Sequence, residues 1–245
     1  MTRPDKPITA RRISSVWQAA PSMIEWLQRE RKSAKASDTV FGVLHKGINS
    51  TIVLLSASCI EGFLGESLQT FEYAFSPKDT FDNRLRHDYY ERVSRATFAE
   101  LSKLFSIAVG KPFSELLKDE PVQKHVKFLF DFRNGLAHGR SLEYRSYSEY
   151  ESGPSKWEFE AWGQYRSVEE YLIENKLVSK IKNGMQDLFT DEIADHFAGL
   201  VEPYIRCVVS MLPKEQADVM RIPLIVAFKE KPKWKRTNTN SAKSV

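Results

Sequence analysis

PVQKHVKFLFDFRNGLAHG, residues 121–139, sets the architecture. Pro121 suits the first turn of a helix, where its missing N–H is no loss. Val122, Val126, Leu129, Arg133 and Leu136 then step by three and four, so they share one face. Arg133 therefore falls on the inward line, where an unpaired guanidinium would be expensive. His138 follows five residues later. On a regular helix five residues turn about 140°, so the two side chains converge only if the helix ends or distorts between them. Gly135 weakens the helix and Gly139 is a natural left-handed cap, which makes them the expected points of change.

Arg133, the amide of Asn134 and the imidazole of His138 thus gather at a helix end. That trio suits phosphodiester chemistry. Histidine moves protons near neutral pH. Arginine grips a phosphate through two parallel hydrogen bonds and offsets the charge of a transition state. With RNA the 2′-hydroxyl is the nucleophile, so neither a metal nor a cofactor is called for. A structural role is the alternative: an arginine near a helix C-terminus complements the dipole, and a histidine there caps carbonyls.

Toward the N-terminus, the spacing predicts a long helix over about Thr39–Phe75, with Asp38 as its cap and Ser33–Asp38 as a linker. On it Leu44, Ile48, Thr51, Leu54, Ser58, Glu61, Gly65 and Leu68 fall on one stripe, read as buried. Ser58, Gly62 and Gly65 would let another backbone approach. Glu61 would lie on the same stripe, as an internal ion pair, a helix cap or a group orienting the site. A first helix is expected over Ile13–Arg31, a third over Arg86–Ala108 ended by Gly110 and Pro112, and a short one over Phe113–Lys118.

Toward the C-terminus the period changes. Tyrosine-rich 142–150, the turn signal Ser152-Gly153-Pro154-Ser155 and the alternating 157–161 predict a β-hairpin insertion over about 142–162. Its aromatics could stack on bases or pack the hairpin onto the bundle. Helices resume at Ser167–Lys182, with Ser167 and Glu170 as a capping box, and at Asp191–Leu212 with a kink or a break at Pro203. The apolar run Arg221–Phe228 is expected to pack on the domain edge.

The chain has 245 residues, enough for a full core, and a net charge of +4. That charge is uneven: Lys229–Lys243 carries six lysines and arginines against Glu230, a net +5, so the remainder is about −1. Such a tail reads as disordered, and either steers an anionic polymer or merely solubilises the chain. Cys59 and Cys207 sit in apolar helical patterns, which points to reduced core residues and the cytoplasm. The opening Met1–Lys6 lacks the apolar core of a signal peptide, and no run of membrane-spanning length is expected. No zinc-ligand spacing, glycine-rich phosphate loop or paired metal-binding carboxylates are evident, which argues against those enzyme classes.

Arg133-Asn134-Gly135-Leu136-Ala137-His138-Gly139 resembles the arginine-x4–6-histidine signature of HEPN-domain proteins. The likeness extends over roughly residues 38–212 through the helical setting and the acidic Glu61 helix. It implies an all-α, HEPN-like helical bundle: an N-terminal helix and linker over 1–37, the helical domain with its hairpin over 38–228, and a basic tail over 229–245. It also implies a metal-independent endoribonuclease of the toxin or antiviral-defence kind, working as a homodimer. Arg133 would polarise the scissile phosphate, His138 would be general base or acid, Asn134 would orient the site and Glu61 would support it. RNA is the implied partner, an antitoxin or other regulator is admitted, and no membrane is involved. One family branch has a tyrosine two residues after the histidine; Arg140 stands there instead, which sets that mode of control in doubt. The alternative is a non-catalytic helical module that binds nucleic acid or protein.

Overall fold

Helix α2, Val43–Glu72, runs unbroken for 30 residues through the middle of the molecule. The computed structural model describes residues 16–37, 42–72, 91–93, 95–117, 121–137, 144–147, 158–161, 164–179 and 187–229. These are mostly helical. A 3-10 turn at Val16–Gln18 leads into α1, Ala20–Ser37. After α2 come α3, Phe98–Val109, the short α4, Phe113–Leu116, and α5, Pro121–Ala137. Strands β1, Tyr144–Tyr147, and β2, Glu158–Ala161, precede α6, Gln164–Glu174. Helices α7, Asp191–Gly199, α8, Val201–Met211, and α9, Lys214–Phe228, follow.

Helix α2 touches the 3-10 turn, α1, α3, α5, α7, α8 and α9. That encirclement decides which of its faces is buried. Ile52, Ala57, Cys59, Ile60, Phe63 and Leu64 are fully enclosed. Leu44, Thr51 and Ser58, expected on the inner stripe, are exposed, and Glu61 and Gly65 are half-buried. The expected stripe is therefore left open at Leu44, Thr51 and Ser58 and closes toward Leu68, which is fully buried, since burying Ile52 and Phe63 removes far more apolar surface from water. Nor do the small residues all wait for a second molecule. A Cβ on Gly62 would stand 2.7 Å from Cβ of Trp17, so that glycine admits the 3-10 turn of its own chain. By length and apolarity α2 could also cross a membrane, contrary to the sequence expectation; half of its most apolar window is buried inside this bundle.

Helix boundaries shift where local capping overrides the apolar period. Helix α1 continues to Ser37 through the expected linker, with Ala34 buried. The expected third helix is interrupted at Ala96–Thr97. There the Thr97 hydroxyl accepts from the Glu100 amide, and the Glu100 carboxylate accepts from the Thr97 amide at 2.7 Å, a complete capping box that starts α3. Gly110 ends α3 in the left-handed region at φ 74°, as anticipated. The capping box expected at Ser167 does not start a helix, because α6 begins at Gln164 and Glu170 takes the Arg166 side chain instead. The same helix stops at Glu174 rather than Lys182. Lys176 turns left-handed at φ 58°, and the Lys176 and Leu177 amides donate back to Ile173 and Leu172, closing the end. The break expected at Pro203 falls earlier, between Gly199 and Val201; Pro203 sits in the first turn of α8, where no amide is needed. The run Arg221–Phe228 is the second half of α9 and buries Leu224 and Ala227.

Strands β1 and β2 pair antiparallel with Tyr144 opposite Ala161 and Tyr147 opposite Glu158, and β2 packs on α6. The link between them, residues 148–157, lies outside the described residues, as do Asp38, the rest of the expected hairpin and the basic tail from Glu230.

Helices α1, α2 and α7 are cross-braced at one end by a buried arginine. Arg31 donates to Asn49 Oδ1 at 3.1 Å and to Asp195 Oδ2 at 2.5 Å, and its Nε lies 3.7 Å from Asp191 Oδ1. Asn49 donates to Asp191 and to the Phe189 carbonyl, each at 3.0 Å, and His45 Nε2 lies 2.7 Å from Asp191 Oδ1. Burial pushes the Asp191 carboxyl up, but the Asn49 amide, Arg31 and His45 outweigh it and hold it below the usual carboxylate range. Removing the cation would leave Asn49 Oδ1 without its donor and Asp191 and Asp195 without the guanidinium that faces both. Arg31→Met is expected to lower unfolding free energy by about 3 kcal/mol, the carboxylates' partial exposure keeping it at the low end for a broken buried pair. Denaturant titration of the two proteins checks this; a change within error would mean the brace contributes nothing net.

Candidate functional site

Helix α5 delivers the arginine. Pro121 opens it as expected, and Val126, Leu129, Phe130 and Phe132 bury its inner face. The helix stays regular through Gly135, which is itself buried, and ends at Ala137. Gly135 is thus not the point of distortion. His138, Gly139 and Arg140 lie outside the described residues.

Arg133 and Glu61 meet across the contact of α5 with α2. The guanidinium Nη2 donates to a Glu61 carboxylate oxygen, and the two side chains are 22% and 24% exposed. The guanidinium carbon lies 5.2 Å from the centre of the Phe130 ring, a cation–π contact that fixes its plane. Phe130 in turn stacks on Phe98, the first residue of α3, with ring centres 3.9 Å apart. Arg133 Nε is buried and has no hydrogen-bond partner among the described residues. The arginine is therefore held on one side by a carboxylate and on another by an aromatic face, with donor capacity left over. Asn134, the next residue, is half-buried on the same last turns of α5.

The structure brings together two of the four expected site residues, Arg133 and Glu61; Asn134 follows Arg133 on the same helix. The internal ion pair expected for Glu61 is formed, and its partner is Arg133.

A second polar cluster was not anticipated. Tyr171 of α6 places its hydroxyl 2.6 Å from His125 Nδ1 of α5 and 2.6 Å from His196 Nε2 of α7. The three residues are scattered over 71 positions of sequence, and each occupies an ordinary helical position, so no local pattern signals them. Among the described residues, no group of three or more His, Cys, Asp or Glu is arranged to hold a metal ion.

Compared with family models, with curated proteins and with solved structures, the chain has no match in any of the three.

The Glu61–Arg133 geometry makes a quantitative expectation. The pair is three-quarters shielded, so Glu61→Ala should cost roughly 1–3 kcal/mol of stability by leaving the guanidinium without its acceptor. Glu61→Ala and Arg133→Ala should not add in the double variant, with a coupling of at least about 0.5 kcal/mol. Additive losses in a denaturation cycle would mean that the pair is not formed in solution.

Proposed function

We propose that the chain is a metal-independent endoribonuclease of the HEPN kind, with Arg133 and His138 as its working pair. The observation that carries this reading is Arg133 at the last turns of α5, held by Glu61 and Phe130; His138 follows it by five residues in the sequence. A guanidinium fixed on two sides loses little freedom when it binds a phosphate. Its unused donors are the groups a nonbridging phosphate oxygen would take.

The chemistry follows from those side chains. His138 would accept the proton of the 2′-hydroxyl as that oxygen attacks the adjacent phosphorus, or donate a proton to the departing 5′-oxygen. Arg133 would neutralise charge building on the nonbridging oxygens, and Asn134 would orient the phosphate or the imidazole. The P–O5′ bond breaks as the P–O2′ bond forms, leaving a 2′,3′-cyclic phosphate and a 5′-hydroxyl. A route for the RNA backbone is suggested beside α3. An open hollow of about 400 Å³ there is lined by Arg92, Arg95 and Lys103 against Glu91 and Glu100. Three cations against two carboxylates leave its lining with a net charge of +1. The basic tail would add to the attraction, and a toxin or antiviral role goes with the resemblance.

The alternative, a non-catalytic module binding nucleic acid or protein, is favoured by the same ion pair, since an arginine bonded to a carboxylate already has a structural use. Cleavage separates the two. Purified protein incubated with RNA in chelator should cut it, and His138→Ala should cut about 10²–10⁴-fold more slowly. An oligonucleotide with 2′-deoxyribose at the scissile position should resist. Equal cutting of the deoxy substrate, or full activity of His138→Ala, removes the ribonuclease reading and leaves the binding module.

A homodimer is part of the proposal, because the resemblance implies one cleft built from two motifs. A two-fold pairing needs only one self-complementary patch. Light scattering at micromolar concentration should give twice the 28.2 kDa chain mass. A monomer under conditions where RNA is cut would mean that one motif suffices.

A further inference from the structure

We infer that His125, Tyr171 and His196 form an acid-sensitive latch that fastens α6 to α5 and α7 and lets go when both imidazoles are protonated. The argument begins with proton counting. A tyrosine hydroxyl carries one proton to donate, while its oxygen can accept. With both histidines neutral, the hydroxyl donates to one bare ring nitrogen and accepts from the N–H of the other, so both 2.6 Å contacts are satisfied. One added proton is still accommodated, since the imidazolium donates to the oxygen and the hydroxyl donates to the remaining bare nitrogen. A second proton turns both ring nitrogens into donors. The hydroxyl proton then has no acceptor within the cluster, and two cations face each other with ring centres 5.6 Å apart.

Water cannot readily repair the loss. Tyr171 is 1% exposed, stacked on Phe128 of α5 with ring centres 4.2 Å apart and flanked by Phe197 of α7. An unsatisfied buried hydroxyl and a repelling pair are both costly there. The neighbouring charges do not rescue the imidazoliums. On α5, Lys124 adds a like charge and pairs at 3.8 Å with Glu174 of α6, while Lys127 and Asp131 bond to each other. On α6, Arg166 and Glu170 pair together. On α7, Asp195 is turned to Gln28 and Arg31, and Asp191 to Arg31, Asn49 and His45, the groups that α1 and α2 present. On α8, Glu202 and Arg206 pair with each other. Among the described residues neither imidazole has a carboxylate partner.

Burial draws His125 below the ordinary histidine value, with Lys124 adding to it. Burial also draws His196 down, with His125 adding to it. Burial pushes the Tyr171 hydroxyl above its usual range, so it stays neutral. Both histidines therefore bind protons less readily folded than unfolded. Their contribution to stability is complete above the ordinary value of about 6.5 and is lost as pH falls through the lowered folded values. Helix α6, with β2 packed on it, is the element released, because Tyr171 joins it to both neighbours.

Amide hydrogen exchange of the full chain from pH 8 to pH 5, read by mass spectrometry and corrected for intrinsic exchange, tests the latch. The opening constant of α6 should be flat above pH 7. Below about 6.5 it should rise by up to about tenfold per pH unit for each proton taken up, while α2 and α8 keep their protection. His125→Gln/His196→Gln should abolish the rise. Tyr171→Phe, which keeps the ring packing if the glutamine variant fails to fold, should loosen α6 already at pH 8 and flatten its pH dependence. The latch is overturned if α6 stays equally protected down to pH 5, if α2 opens in step with it, or if Tyr171→Phe retains the wild-type pH slope.

Discussion

Helix α2 is enclosed by seven other elements, and that enclosure constrains everything polar upon it. A buried polar group without a partner is expensive, so most of those that α2 carries are matched to a particular neighbour. Near its start Asn49 and His45 meet Asp191. In its second half Glu61 meets Arg133, and Glu66 accepts from the Trp17 indole. Ser56 and Thr70 return to carbonyls of the helix itself. Apolar contacts supply the drive toward burial, but they are non-directional. The polar matches make docking selective, because sliding a helix along α2 would separate a buried charge from its partner.

The same requirement explains how Arg133 is held. An inward-facing arginine on α5 is tolerable only if something on α2 neutralises it, and Glu61 is the group that does so. Phe130 and Phe98 then fill the space beneath the guanidinium and tie α3 to the same point. A residue that would bind phosphate is thereby preorganised by the packing that stabilises the bundle. The arrangement carries a tension. The stronger the hold of Glu61, the more a phosphate must compete for the guanidinium, and only the donors left over serve without rearrangement. The histidine–tyrosine cluster lies on the same helix, two turns earlier, so one helix carries both a candidate chemical group and a group sensitive to protons.

Cys59 shows how far burial governs the remaining reactive groups. Its thiol is fully enclosed, lies 3.4 Å from the Trp17 carbonyl and is pushed up to about 12 by burial, which makes it a packing residue and not a nucleophile. The expectation of a core cysteine holds for Cys59, while Cys207 is only partly buried; both are free thiols.

The sequence by itself determined the helical character of the chain, because periods of three and four residues, Pro121 and Gly110 are local facts that survive in any tertiary setting. It also determined that Arg133 would face inward, since the apolar line of α5 leaves no other side for it. It did not determine which stripe of α2 is buried. That helix is apolar nearly all round, so its sequence carries no net direction, and only the arrangement of the surrounding helices selected the open face. Boundaries such as Thr97, Lys176 and Leu200 were decided by hydrogen bonds of caps and turns, which compete with the apolar period within one or two residues. The Arg31 brace and the His125–Tyr171–His196 cluster were decided by tertiary structure alone. Each joins residues from three separate helices, and no spacing along one helix encodes a meeting between three.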